Sequence, residues 1–84
     1  MAEARGRIVF YTQPGCPACI TAKEFLSSRG LTIEQKNIRS DPEFVREVVE
    51  DLGSRATPTV VFGDKVVVGF HPAEYDAALR SIQH

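Results

Sequence analysis

In the stretch Arg7-Ile8-Val9-Phe10-Tyr11-Thr12-Gln13-Pro14-Gly15-Cys16-Pro17-Ala18-Cys19, a β-branched and aromatic run gives way to a turn and then to two cysteines three residues apart. Residues 7–12 lack clean polar alternation, the pattern of a central strand covered on both faces. Gln13 to Pro17 is a turn signal. From Pro17 onward Cys19, Ala22 and Leu26, flanked by Ile20 and Phe25, recur at helical spacing. Proline suits the first turn of a helix, where its missing N–H costs nothing. A helix is therefore predicted to open at Cys16 or Pro17 and run to about Ser28, with Arg29-Gly30 as its stop. Cys16 then falls just past the carboxyl end of a strand, at the mouth of a helix, where open α/β sheets place their chemistry.

Beyond Gly30, residues Leu31 to Ile38 begin with apolar positions at Leu31 and Ile33 and turn polar, as in a strand with one solvated side. Ser40-Asp41-Pro42-Glu43 has the S-x-x-E spacing of a helix capping box. The helix it opens carries an apolar stripe of Phe44, Val45, Val48, Val49 and Leu52. Arg46, Glu47, Glu50 and Asp51 take the wet face, and Gly53 ends it. Thr59–Phe62 and Lys65–Gly69 are β-rich runs joined by Gly63-Asp64, the signature of a two-residue hairpin loop. Pro72 opens a last helix with apolar positions at Tyr75, Ala78, Leu79 and Ile82.

The predicted order is β-α-β-α-β-β-α. The first two strands, joined through a helix, should be parallel, and the later hairpin should extend the same sheet. The fold class is α/β, with a mixed four-strand sheet and helices on both faces.

Composition narrows the function. Residues 1–84 are read as one domain, since 84 residues with 43% hydrophobic content suffice for a single small core. A formal net charge of −1 supplies no basic field for a nucleic-acid backbone. No apolar run exceeds four residues, far below the ~20 needed to span a bilayer, and Met1 to Arg7 lacks a signal-peptide core. Neither nucleic acid nor membrane is expected as a partner, and the location expected is the cytoplasm.

Two cysteines cannot build a multi-bridge secreted scaffold. In a short chain of this kind C-x-x-C reads as a redox pair or as half of a metal site. A metal generally asks for four ligands, and the chain offers only His71 and the distant His84 besides the cysteines, so no metal site is assigned. A metal or iron–sulfur module, or a thiol sensor without turnover, remains the alternative to an enzyme. For exchange chemistry the thiolate is the attacking species, and a free thiol with a pKa near ~8.5 is mostly protonated at neutral pH. Cys16, beside the unpaired N–H groups and the positive end of a helix dipole, has its anion favoured there. Cys19, one turn inward, is less accessible. Cys16 is therefore expected to attack and Cys19 to resolve.

Val9 to Cys19, followed by Ala56-Thr57-Pro58-Thr59-Val60-Val61 and Val68-Gly69-Phe70-His71-Pro72, resembles the glutaredoxin family, which has a thioredoxin-like fold. The resemblance covers nearly the whole chain. It extends to the small bacterial and archaeal glutaredoxin-like proteins and the NrdH-type redoxins, which share Gly-Phe before the last helix.

It implies a thiol–disulfide oxidoreductase that reduces protein or glutathione-mixed disulfides through Cys16 and Cys19. It also implies a cis Pro58 that presents the backbone of Thr57 to substrate as a short strand. Tyr11 and Pro17 match family positions beside the dithiol, and Gly69 and Phe70 match the loop that meets glutathione. Without the resemblance, Tyr11 would be read as packing against the first helix and Phe70 as core. His71 is read as a polar residue at the mouth of the last helix, and Lys23 and Lys36 as surface lysines.

Two departures bear on the electron donor. Gln13 replaces the common lysine, and Gly69-Phe70 replaces Gly-Gly. The bulk of Phe70 suits a protein contact better than close backbone approach by a small anion. Glutathione or a thioredoxin-reductase-like flavoenzyme is expected as donor, with no tightly bound cofactor and a monomeric state.

Overall fold

β1 (Ile8–Thr12) is the central strand, lying between β2 (Ile33–Asn37), to which it is parallel, and β3 (Thr59–Phe62), to which it is antiparallel. β4 (Lys65–Val68) pairs antiparallel with β3, giving the order β2-β1-β3-β4. This is a computed structural model, and it describes residues 7–82; the residues before Arg7 and the candidate ligand His84 lie outside them. The predicted element order and mixed sheet are both found. No helix among the described residues is long and apolar enough to cross a membrane.

Side chains alternate across β1, and this alternation assigns the layers. Ile8 and Phe10 enter one buried cluster with Cys19, Ala22 and Leu26 of α1 (Pro17–Ser28) and with Tyr75, Ala78 and Leu79 of α3 (Pro72–Ile82). Tyr11 faces the other side, toward α2 (Pro42–Arg46) and the π-helical turn that continues it (Glu47–Asp51). Tyr11 is buried, but against the second helix rather than the first. Its hydroxyl donates to Glu47 Oε1 at 2.8 Å, and the Lys36 ammonium donates to the same oxygen at 3.0 Å.

Four readings of this region are corrected. Asp41 rather than Ser40 caps α2: its carboxylate accepts from the Glu43 N–H at 2.9 Å, while the Ser40 hydroxyl donates back to the Asn37 carbonyl. With Asp41 as cap, Pro42 takes the first helical position, where its fixed φ and missing N–H are best suited. Glu47 is not on a wet face but half-buried under Tyr11 and Lys36, so Lys36 is more than a surface lysine. Finally, the apolar stripe is only partly covered. Val48 is buried, yet Val45 and Val49 are 41% and 36% exposed. The wider turn after Arg46, closed by Leu52 N–H on the Glu47 carbonyl, departs from the 3.6-residue period on which the stripe was drawn. Strand boundaries also move: β1 starts at Ile8, β2 runs from Ile33 to Asn37, and β4 ends at Val68, before Gly69.

The Lys36 hydrogen bond first, then that of Tyr11, hold the Glu47 carboxyl below its ordinary value of 4.5. A carboxylate whose folded pKa is depressed contributes stability that is full above its unfolded pKa and is lost as pH falls through the folded value. Glu47→Gln should therefore lower the urea midpoint at neutral pH and flatten the acid limb. Midpoints at neutral pH and at about pH 3.5 check this: the parent should lose more between them than the variant. Parallel losses would remove Glu47 from the acid response.

Candidate active site around the Cys16–Cys19 pair

Cys16 is the N-cap of α1, with extended backbone (φ −112°, ψ 100°), and Pro17 occupies the first helical position, exposed to solvent. The helix therefore begins where its sequence places it. The Cys16 carbonyl accepts from the Ile20 N–H at 3.2 Å, and its Sγ accepts from the Cys19 N–H at 3.2 Å. One of the donors left over at the helix start is thus aimed at sulfur. In this structure Cys16 and Cys19 are joined as a disulfide, with Cα atoms 5.2 Å apart. The two sulfurs are not equivalent. Cys19 is 3% exposed and belongs to the core, whereas Cys16 is half-buried at its edge.

The loop before β3 forms the opposite wall. The Thr57–Pro58 peptide is cis. Cys16 Sγ lies 3.7 Å from the Thr57 carbonyl oxygen and 3.7 Å from its hydroxyl. That hydroxyl also accepts from Gln13 Nε2 at 2.9 Å. Behind the loop, the buried Thr59 hydroxyl donates to the Ala56 carbonyl at 2.6 Å and shares a 2.8 Å hydrogen bond with the Ser54 hydroxyl, which also reaches the Ala56 carbonyl at 3.2 Å. The Ser54 N–H in turn bonds the Val48 carbonyl at 2.8 Å, anchoring the loop to the π-helical turn.

Gly69 closes the third side. Its N–H donates to the Pro58 carbonyl at 2.7 Å and its own carbonyl accepts from the Tyr75 hydroxyl at 2.8 Å. Its φ of +87° lies in the region where only glycine is at ease, and a Cβ there would come within 3.1 Å of the His71 imidazole. Phe70 is half-buried, edge-on to Phe25 and Tyr75 at centroid distances of 5.6 and 5.5 Å. Burial pushes the Tyr75 hydroxyl up to about 12, and burial followed by Glu47 raises that of Tyr11 further above its ordinary value. Neither phenol loses a proton near neutral pH. His71 is exposed, and its carbonyl accepts the first bond of α3, from the Tyr75 N–H.

Of the residues singled out in the sequence, the fold brings together Cys16, Cys19, Pro17, Thr57, Pro58 and Gly69. Phe70 stands beside them in the aromatic cluster. Tyr11 is set apart, its hydroxyl engaged by Glu47 across the sheet.

The glutaredoxin family model matches residues 8–67. The chain belongs to the glutaredoxin family. Among relatives of this glutaredoxin, the glutaredoxin-like protein NrdH of Lactococcus lactis is 34% identical over 67 residues, covering 80% of this chain and 92% of that one. The thioredoxin-like protein BC3987 superposes with a TM-score of 0.83 at 36% identity, covering 87% of this chain and all of that one (100%). The NrdH-redoxin from Escherichia coli superposes at 0.75 with 32% identity, covering 84% and 92% of the two chains. The fold is thus thioredoxin-like, and the glutaredoxin is an NrdH-like redox protein carrying a Cys16–Cys19 pair. Family membership brings thiol–disulfide oxidoreductase activity in general, exercised on redox partners.

Two residues beside the pair carry no site signal in the sequence. Gln13 stands where the family commonly has lysine, and it bonds Thr57. Ile20 flanks the helix stripe and is 61% exposed, one turn on from Cys16. Its spacing of four from Cys16 places it on the same side of the helix as the sulfur.

Proposed function

We propose that this protein reduces protein disulfides by dithiol exchange and is itself re-reduced by a thioredoxin-reductase-like flavoenzyme rather than by glutathione. The observation that carries the reading is the asymmetry of the pair: Cys16 at the edge on a helix N-cap, Cys19 buried behind it. Cys16 thiolate attacks one sulfur of the client disulfide. That S–S bond breaks, the leaving thiolate takes a proton from solvent, and a mixed disulfide forms. Cys19, deprotonated, attacks the Cys16 sulfur, releasing the client's second thiolate and closing the Cys16–Cys19 disulfide. Two electrons have then passed to the client.

Pro17, Thr57, Pro58, Gly69 and Phe70 form the docking surface in this reading, with the client backbone lying along Thr57 as a short strand. Tyr11 holds the π-helical turn through Glu47 instead of touching the client. Two features favour protein partners. Phe70 gives the loop a large apolar ring in place of a bare backbone. Beside Thr57, a groove of about 230 Å³ is lined by Ile38, Val45, Val48 and Val49 together with Gln13 and Arg55; the four apolar residues give a client's apolar side chain a wall, and Arg55 would meet a carboxylate of a client or of glutathione alike. The Escherichia coli NrdH-redoxin is described by a thioredoxin-like activity profile, which agrees with this choice of donor.

NADPH-coupled reduction of a protein disulfide tests it, run once with thioredoxin reductase and once with glutathione plus glutathione reductase. The reading expects turnover with the first and none above background with the second. Turnover with glutathione alone would overturn the donor.

A further inference from the structure

Gln13, Thr57 and Cys16 form a chain of contacts that joins the loop after β1 to the loop before β3. Gln13 Nε2 stands 2.9 Å from Thr57 Oγ1, and Thr57 Oγ1 stands 3.7 Å from Cys16 Sγ. All three residues are half-buried, so water competes less for these bonds. We propose that Gln13 is a positioning residue for the nucleophile: its amide N–H occupies a lone pair of the Thr57 hydroxyl, which turns the hydroxyl proton toward Cys16 Sγ and stabilises the thiolate.

The inventory of donors and acceptors gives the contacts their direction. An amide nitrogen donates and cannot accept, whereas a hydroxyl has one proton and two lone pairs. Once Thr57 accepts from Gln13, its proton is free for another acceptor, and the sulfur is the one placed for it. The same threonine also opposes this effect. Its carbonyl oxygen, 3.7 Å from Sγ, accepts from a thiol S–H and so favours the protonated form. A thiol is a weak donor, while a hydrogen bond to an ionised acceptor is roughly twice as strong as a neutral one. The hydroxyl therefore prevails over the carbonyl as long as Gln13 keeps its proton on the sulfur side.

The inference rests on Cys16 being the attacking thiol, but its test does not need turnover. In the Cys19→Ser background the ultraviolet absorbance of the thiolate reports Cys16 alone as pH is raised. Gln13→Leu is expected to raise the Cys16 pKa by about 0.5–1 unit. Thr57→Val should raise it at least as much, and Thr57→Ser should hold it near the parent value. In the Thr57→Val background Gln13→Leu should add nothing, the mark of two residues acting through one contact. Gln13→Ala, judged by the same titration, replaces Gln13→Leu should that variant fail to fold.

Two outcomes overturn the proposal. A Gln13→Leu shift that survives in Thr57→Val protein means that Gln13 acts on sulfur by another route. An unchanged or lowered pKa means that the Thr57 proton faces Gln13 instead. Loss of exchange activity in the parent would overturn the functional reading and leave the titration intact. Rates alone read the effect poorly. Below the pKa, a one-unit rise cuts the thiolate fraction tenfold, but the more basic sulfur is more nucleophilic, so attack slows only about threefold.

Discussion

Cys16→Ser is expected to abolish catalysed disulfide reduction, lowering turnover by on the order of 10³-fold or more while the fold is kept. The helix start would still offer its donors to the serine oxygen, since the cap geometry depends on backbone placement rather than on sulfur. What is lost is the atom that can be attacked. Exchange runs through a mixed disulfide, and an oxygen at residue 16 gives Cys19 no S–S bond to break. Cys19 cannot take over from its place in the core, 3% exposed among Phe10, Ala22 and Tyr75. Turnover by Cys16→Ser within about tenfold of the parent would contradict this division of roles.

The largest loss of stability is expected from Tyr75→Ala. Tyr75 is fully buried, and its ring meets Phe25, Phe62 and Phe70 at centroid distances of 5.6, 5.3 and 5.5 Å. Its hydroxyl donates to the Gly69 carbonyl, so one side chain ties α3, the sheet and the loop beside the dithiol together. Truncating a buried aromatic costs about 3–5 kcal/mol. For a domain of this size that lowers the Tm by roughly 12–40 °C. Tyr75→Phe keeps the ring and removes only the hydroxyl, for which about 1–2 kcal/mol is expected. Thermal unfolding of the two variants separates packing from hydrogen bonding. A Tyr75→Ala protein within about 1 kcal/mol of the parent would show that the cluster is not what holds the loop.

Local chemistry explains which parts of this structure were legible. Pro17 next to Cys16 marked the start of α1, because a proline at the first helical position is a backbone constraint that no tertiary contact needs to reveal. Gly63-Asp64 marked the β3–β4 turn for the same reason. At the start of α2 two local signals competed. The S-x-x-E spacing favoured Ser40 as cap and Pro42 favoured Asp41; proline prevailed because its φ is fixed, whereas a serine side chain can turn back to Asn37.

What depended on long-range placement was not legible. Alternation in β1 requires Phe10 and Tyr11 to face opposite ways, yet only the packed structure shows that Tyr11 meets Glu47, 36 residues away. Val45, ahead of the π-helical turn, and Val49, within it, are partly exposed along the groove beside Thr57, a placement that a periodicity count does not give. The approach of Gln13 to Thr57 across 44 residues is of the same kind. The cysteine pair was visible because its chemistry is local, and the wall facing it was visible only through the family resemblance.

The central claim is that Cys16 attacks and Cys19 resolves, and trapping tests it most directly. Reduced Cys19→Ser and Cys16→Ser proteins are each mixed with a disulfide-bonded protein client, quenched with acid and weighed intact by mass spectrometry. The account predicts a one-to-one mixed disulfide that accumulates with Cys19→Ser and is missing with Cys16→Ser. Equal trapping by both variants, or trapping by Cys16→Ser alone, would contradict it.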